Sequence, residues 1–416
     1  MIHRIYAVLL ILCLVVGMLS TGFAGNGTEE TENMETWYSE MLDSAVLNRG
    51  NNVRLKNAIE RARNGENITV ATIGGSITEG AGASTYMDCW ACRFVIGMRE
   101  RYGVGDGKNI KIVNAGVGGT ASTFGWMRWD RDILQRVKDD DGLPDIVIIE
   151  YAVNDGQEPT GHKCYESMVR SILDQPNKPA VILLFSVFPT GYTLQNELMP
   201  VGKAYDLMMI SMRNSAFKYL GDKWTQQEYY SDQYHPTSVG HNVMADCILH
   251  GVELAEAAPT DEADLVYPEK PAFGLNFMGL KSIFRDQVDP ALGLETGSFS
   301  GNDSGAYRNG PVGRVCGDNF YHDGKNGNEP LKFTASFREL LIAAKTTMDA
   351  TYGKIEIKID GEHVRTFNPH TNGSWGQSDV FWAYHGSECA EHTVEILMAE
   401  GEEEKQCTIT CIAYAE

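Results

Sequence analysis

Apolar and polar positions follow two different rhythms along this chain, and the change of rhythm divides it. Up to residue 257, short continuous apolar runs ("ITVATI", "IKIVNA", "DIVIIEYA", "AVILLFSVF") are separated by longer segments with helical spacing. Those segments are "ACRFVIGMRERYG", "RWDRDILQRVKDD" and "CYESMVRSILDQ". Ahead of them, "VRLKNAIERARNG" sets Val53, Leu55, Ile59 and Ala62 on one helix face. Strands that are apolar at every position are buried on both sides. Alternating with helices, they predict an α/β, three-layer αβα sandwich around a parallel sheet.

After "APTDEADLVYPEKPAFG" the period drops to two. "KIEIKIDGEHV" puts Ile355, Ile357 and Ile359 on one face before a turn at "DG", and "HTVEILMA" alternates Val394, Ile396 and Met398. Such runs between Gly and Asn clusters predict an all-β sandwich or jelly roll. The expected organisation is a polar leader over 25–50, an α/β domain over 51–257, a linker over 258–271 and a β domain over 272–416. The linker is assigned on three prolines and four acids in that short span.

The first 24 residues stand apart. "MIHR" is a basic start, "IYAVLLILCLVVGML" an apolar run too short for a comfortable membrane span, and "STGFAGNG" a small-residue stop. This predicts a secretory signal peptide cut after Ala24, the alternative being an uncleaved membrane anchor, and hence a secreted or cell-surface protein with no membrane association after cleavage. A net charge of -21 disfavours nucleic acid, whose phosphates need Lys and Arg. Eight cysteines remain beyond Cys13, an even number that permits disulfides without giving their pairing. "CWAC" (89–92) lacks a redox or zinc context and is read as structural.

The chemistry gathers at the ends of the predicted strands. "ITVATIGGSITEG" places Ser76 just past the first strand, and Glu79 stands at capping-box spacing from it, so helix capping competes with a nucleophilic role. The second strand ends in "NAGVGGTAS", with Gly118 and Gly119, and the third in "EYAVNDG", with Asn154 beside Asp155. In an open parallel sheet these ends share one edge, where ligands bind. In "SDQYHPTSVGH", Asp232 and His235 are three residues apart, close enough for the carboxylate to orient the imidazole as an acyl-transfer base requires. The other histidines form no metal-ligand pattern, and no cofactor or metal is implied.

Taken in order, these Ser, Gly, Asn and Asp/His blocks resemble the SGNH hydrolases of the GDSL type, over roughly residues 65–250. The resemblance implies a flavodoxin-like fold, Ser76 as nucleophile, His235 as base and acid, and Asp232 as its orienting carboxylate. It also implies an oxyanion hole formed by the Ser76 and Gly119 backbone N–H groups and the Asn154 side chain. Two departures mark this chain: Gly75 stands where the family's usual Asp does, and Ala152 where its usual Gly does. "WMRWDRDIL" (126–134) resembles the polysaccharide-deacetylating branches more than the lipases.

The β block resembles modules attached to secreted carbohydrate esterases. Trp126, Trp375 and Trp382 are the candidate sugar-contacting aromatics, against the plainer reading of core residues. The expected activity is a metal-free carboxylic ester hydrolase that removes O-acetyl groups from a mannan- or xylan-type polysaccharide or oligosaccharide. The alternatives are a lipid or aryl acyl esterase of the same fold, or a noncatalytic carbohydrate-binding protein.

Overall fold

The computed structural model describes residues 27–416 other than 139–141, 307 and 312. The expected signal peptide therefore lies outside the described residues.

The first domain is built on six strands: β1 (Val46–Asn48), β2 (Ile68–Gly74), β3 (Ile110–Gly116), β4 (Ile146–Glu150), β5 (Ala180–Phe185) and β6 (Met208–Ser211). They pair in the order β1-β6-β5-β4-β2-β3. All neighbours are parallel except β1, which runs antiparallel to β6. Eight helices matter for the packing: α1 (Gly27–Ala45), α2 (Val53–Arg63), α3 (Ser76–Glu79), α4 (Trp90–Tyr102), α5 (Ser122–Met127), α6 (Lys163–Leu173), α7 (Gln195–Ala204) and α8 (Ser238–Ala257).

Alternate residues of the sheet feed two separate cores, because successive side chains of a strand point to opposite faces. Val70, Ile146 and Ile148 join Leu55, Trp90, Phe94 and Ile248 on one face, while Ala71, Ile73, Val147 and Ile149 join Phe124, Met168 and Val201 on the other. Both faces are covered, so every residue of β2, β4 and β5 is buried. The α/β expectation is met.

The leader expected over 25–50 is instead part of this domain. It is helical from Gly27, and Met41 and Ala45 are fully buried in the first core. Tyr38 donates to Asp246 of α8 at 2.6 Å, and the segment ends in strand β1. Its acidic stretch hid an apolar stripe that begins only at Trp37.

The second domain contributes β7 (Lys281–Ile283), β8 (Arg308–Gly310), β9 (Gly313–Val315), β10 (Phe320–His322), β11 (Leu331–Thr347), β12 (Ile355–Ile359), β13 (Glu362–Phe367), β14 (Trp375–Met398) and β15 (Cys407–Ala415). Seven of these form one antiparallel sheet, β10-β15-β11-β14-β12-β13 with β7 on β15, and β8 pairs with β9. The "DG" turn joins β12 to β13 with Asp360 and Gly361 both at positive φ, the twist that suits a two-residue hairpin. The centre of this sheet is buried on both sides. Ile342, Ile409 and Ile412 face the domain's own core, whereas Leu341, Ala343, Cys411 and Ala413 face the core shared with α5 and α6.

The segment expected to be a linker is strapped down. Asp261 pairs with Arg49 at 2.9 Å, and Asp264 pairs with the nearly buried Arg54 guanidinium at 2.7 Å. The Glu166 carboxylate of α6 then accepts the backbone N–H groups of Ala272 and Gly274 at 2.8 and 2.9 Å, as well as that of Phe273. All eight described cysteines are free, seven of them buried, so the disulfides that their even number permits are absent among the described residues.

Candidate active site

Three side chains from distant parts of the chain form one hydrogen-bonded row. His235 Nε2 lies 2.9 Å from Ser76 Oγ, and His235 Nδ1 lies 2.8 Å from Asp232 Oδ2. The other carboxylate oxygen, Asp232 Oδ1, accepts the backbone N–H groups of Tyr234 and His235 at 2.7 and 2.8 Å. Partial burial pushes the Asp232 carboxyl up, but the His235 hydrogen bond and these two N–H groups outweigh it and hold the group below the usual carboxylate range. Asp232 thus stays an acceptor, with its Oδ2 turned to His235 Nδ1. The other ring nitrogen, Nε2, faces Ser76.

Ser76 sits where the parallel sheet delivers it. β2 ends at Gly74, and α3 begins at Ser76 itself, with Gly75 as N-cap and no side-chain cap. The capping reading of Ser76 is thereby corrected: its side chain points at His235, and its backbone N–H lies in the first turn of a helix, where such groups have no partner within the helix. Glu79 does not close a capping box either. Its Oε2 accepts the Gly118 backbone N–H at 2.7 Å, tying the turn at Ser76 to the glycine turn after β3. Gly119 follows at φ +70°, a left-handed conformation that favours glycine.

Asn154 leaves the end of β4 and packs against Gly75. A Cβ built on Gly75 would lie 2.6 Å from both Cγ and Nδ2 of the Asn154 amide. This is a physical reason for glycine at the position where the family resemblance leads one to expect Asp. Asp155 braces the same loop from within: fully enclosed, its Oδ1 accepts the Ser122 backbone N–H of α5 at 2.7 Å. Burial pushes its carboxyl up to about 8, against the lowering effect of that hydrogen bond. Beneath α3, burial likewise raises Glu150 to about 7, while Thr78 donates to it at 2.9 Å and Ser186 donates to its other oxygen.

The three tryptophans part company. Trp375, at the start of β14, is 58% exposed and lies over Gly119, where an added Cβ would come within 2.5 Å of its Cζ2. Trp126 is only 8% exposed and donates its indole N–H to the Phe277 carbonyl at 2.8 Å, so it fills the seam between the domains. That corrects the sugar-contact expectation for Trp126. Trp382 is partly buried in the same seam, its indole N–H donating to Glu339 at 2.9 Å and its ring edge-on to Phe277.

Glu79, Glu150 and Asp155 are the site residues that the sequence reading missed. Glu150 had a signal, a lone carboxylate closing an all-apolar strand. Glu79 and Asp155 were in view but assigned to local capping, and only the neighbouring loops reveal their partners. A cavity of about 520 Å³ lined by Arg54, Arg61, Asp145 and Lys178 lies at the opposite, amino-terminal edge of the sheet, away from Ser76.

The parallel sheet has the flavodoxin-like strand order and carries the Ser76–His235–Asp232 row at its carboxyl edge, an arrangement similar to that of SGNH-type hydrolases. Residues 72–243 match the GDSL-like Lipase/Acylhydrolase family, which covers the serine, glycine, asparagine and histidine blocks alike. Among solved structures, a two-domain esterase (CEX) active on acetylated mannans superposes with a TM-score of 0.74 at 22% identity, covering 90% of this chain and 99% of that one. The same esterase co-crystallised with mannopentaose superposes at 0.70, also at 22% identity, covering 90% of this chain and 98% of that one. The two-domain architecture, and not the α/β domain alone, is therefore shared. No curated protein matches the sequence.

Proposed function

We propose that this protein is a secreted serine esterase that removes O-acetyl groups from mannan- or xylan-type polysaccharides or oligosaccharides. The observation that carries the reading is the Ser76–His235–Asp232 row at 2.9 and 2.8 Å, set between Gly119 and Asn154. Secretion is inferred from residues 1–24 of the sequence alone. The carbohydrate class is supported by the exposed Trp375 over Gly119 and by the architecture shared with an esterase active on acetylated mannans.

In the proposed reaction, Ser76 Oγ attacks the acetyl carbonyl carbon while His235 Nε2 takes its proton. The negative charge that develops on the carbonyl oxygen is met by the Ser76 and Gly119 N–H groups and the Asn154 amide. The C–O bond to the sugar breaks, and the departing oxygen takes the proton back from Nε2. Water then adds to acetyl-Ser76 with His235 again as base, acetate leaves, and Ser76 regains its proton. The test is acetate release from acetylated mannan and xylan: wild type is expected to release it, and Ser76→Ala to lose activity while melting as wild type does. Full activity in Ser76→Ala would sink the nucleophile assignment. Glycan binding by a wild type inactive on every ester would favour the noncatalytic alternative.

A further inference from the structure

Three aromatic rings stand together on the other side of Ser76 from Trp375. Phe188 and Tyr192 belong to the turn that follows β5, closed by Phe188 N–H to the Tyr192 carbonyl at 3.0 Å and by Gly191 N–H to the Phe188 carbonyl at 2.8 Å. Their rings are stacked, with centroids 5.8 Å apart and planes 25° apart. Tyr234, the residue before His235, meets Phe188 edge-on at 5.2 Å and lies 6.0 Å from the His235 ring. The Tyr192 hydroxyl reaches Gly156, two residues past Asn154. Phe188 is half-buried against the core and anchors the group, yet Tyr192 is 42% and Tyr234 45% exposed. A packed cluster that leaves two tyrosines exposed beside His235 has the build of a stacking surface, not of core.

Its place in the sheet gives it a direction. Along the carboxyl edge the order is β5, β4, β2, β3, so the loops carry Tyr192, Asn154, Ser76 and Gly119 in that sequence. Trp375 covers the β3 end and the Phe188–Tyr192–Tyr234 cluster covers the β5 end. Three strand spacings separate the two ends, about 14 Å, the span of a short oligosaccharide and not of one ring. His235, which returns a proton to the departing oxygen, is on the cluster's side.

We propose that Tyr192 and Tyr234, held by Phe188, form a sugar-stacking subsite on the leaving-group side of Ser76. This extends the esterase reading and rests on it. Apolar faces of pyranose rings pack on exposed aromatic rings, and the tyrosine hydroxyls reach the sugar's own hydroxyls.

The experiment compares kcat/KM for a series of acetylated manno- or xylo-oligosaccharides of one to four rings with that for ethyl acetate, which offers no ring to stack. Wild type is expected to gain with chain length. In Tyr192→Ala and Tyr234→Ala that gain flattens, with KM for the longer esters up by about five- to tenfold. Tyr192→Phe, which keeps the ring, retains most of the gain. Equal losses on ethyl acetate and oligosaccharides in both alanine variants would overturn the subsite, since the rings would then be acting through the Ser–His–Asp row or the fold. An undiminished length dependence in both would overturn it as well. A wild type that cleaves ethyl acetate but no sugar ester sinks the carbohydrate reading itself and the subsite with it. Cleavage of sugar esters with unaffected variants sinks only the subsite.

Discussion

Gly75→Ala is a small change with a large expected effect, because of what its methyl group would touch. The backbone at Gly75 has φ -87°, outside the left-handed region that favours glycine, so contact with its neighbour decides the effect. The new Cβ would stand 2.6 Å from Cγ and Nδ2 of Asn154. Ordinary carbon contacts begin near 3.5 Å, so the amide must retreat by roughly 1 Å. A side-chain tip moves at little cost to folding, and the melting temperature is expected to stay close to wild type. The proposed oxyanion hole is less forgiving: a displacement of this size, or loss of one donor, costs about 100-fold or more in turnover. The assay is kcat and KM for p-nitrophenyl acetate in wild type, Gly75→Ala, Asn154→Ala and the double variant. Because both changes act on one amide, the double variant is expected to be little worse than Asn154→Ala alone. A Gly75→Ala enzyme within about threefold of wild type, or a double variant whose losses multiply, would refute the reasoning.

Three further outcomes follow from groups around the site and in the fold. Glu79→Ala frees the Gly118 N–H that its carboxylate holds at 2.7 Å, and kcat is expected to fall about tenfold as the Gly119 turn loosens, whereas Glu79→Gln, which keeps an acceptor, falls less. His241 gives the fold an acid limit. Burial lowers its pKa to about 4, against the Ala81 carbonyl that accepts from its Nε2 at 3.0 Å, so the folded state binds fewer protons than the unfolded one between about 6.5 and 4. Its contribution is complete above pH 6.5 and is lost as pH falls, by roughly 3 kcal/mol at the acid end. Buried Glu150, raised to about 7, works in the opposite sense and costs stability as pH rises from about 4.5 towards 7. Urea unfolding at pH 5 and 7 separates the two: His241→Gln is expected to flatten the acid loss, and Glu150→Gln the loss towards neutral pH. An unchanged pH slope in His241→Gln would show that another group sets the acid limit.

How much of this was legible beforehand depended on how local each signal was. The four parallel strands β2 to β5 announce themselves as continuous apolar runs, and Ser76, Asn154, Asp232 and His235 stand in recognisable blocks around them. The edge pair of β1 and β6 did not: each is three or four residues long, and β1 lies behind an acidic stretch that reads as a solvated tail. β12 and β13 were legible through their period of two and the "DG" turn, whereas "LLIAAK" in β11 and "CTITCIAYA" in β15 lose the alternation because both faces are buried there. That loss of alternation is itself informative. A β domain tethered by a free linker would keep one face of its sheet polar.

The doubly buried strands mean that the second domain has been recruited into the first domain's core. This bears on the site, because β14 is continuous from the shared seam to its tip. Thr346 and Thr347 of β11 hold that tip, Thr347 paired with Trp375 and Thr346 donating to Asp379. Trp375 is therefore positioned over Gly119 by packed strands, not by a mobile arm. In the proposed esterase reading, a ring fixed in that way confines approach to Ser76 from the β3 side to substrates that lie along the edge of the sheet. The exposed tyrosines at the β5 side lie along that same line.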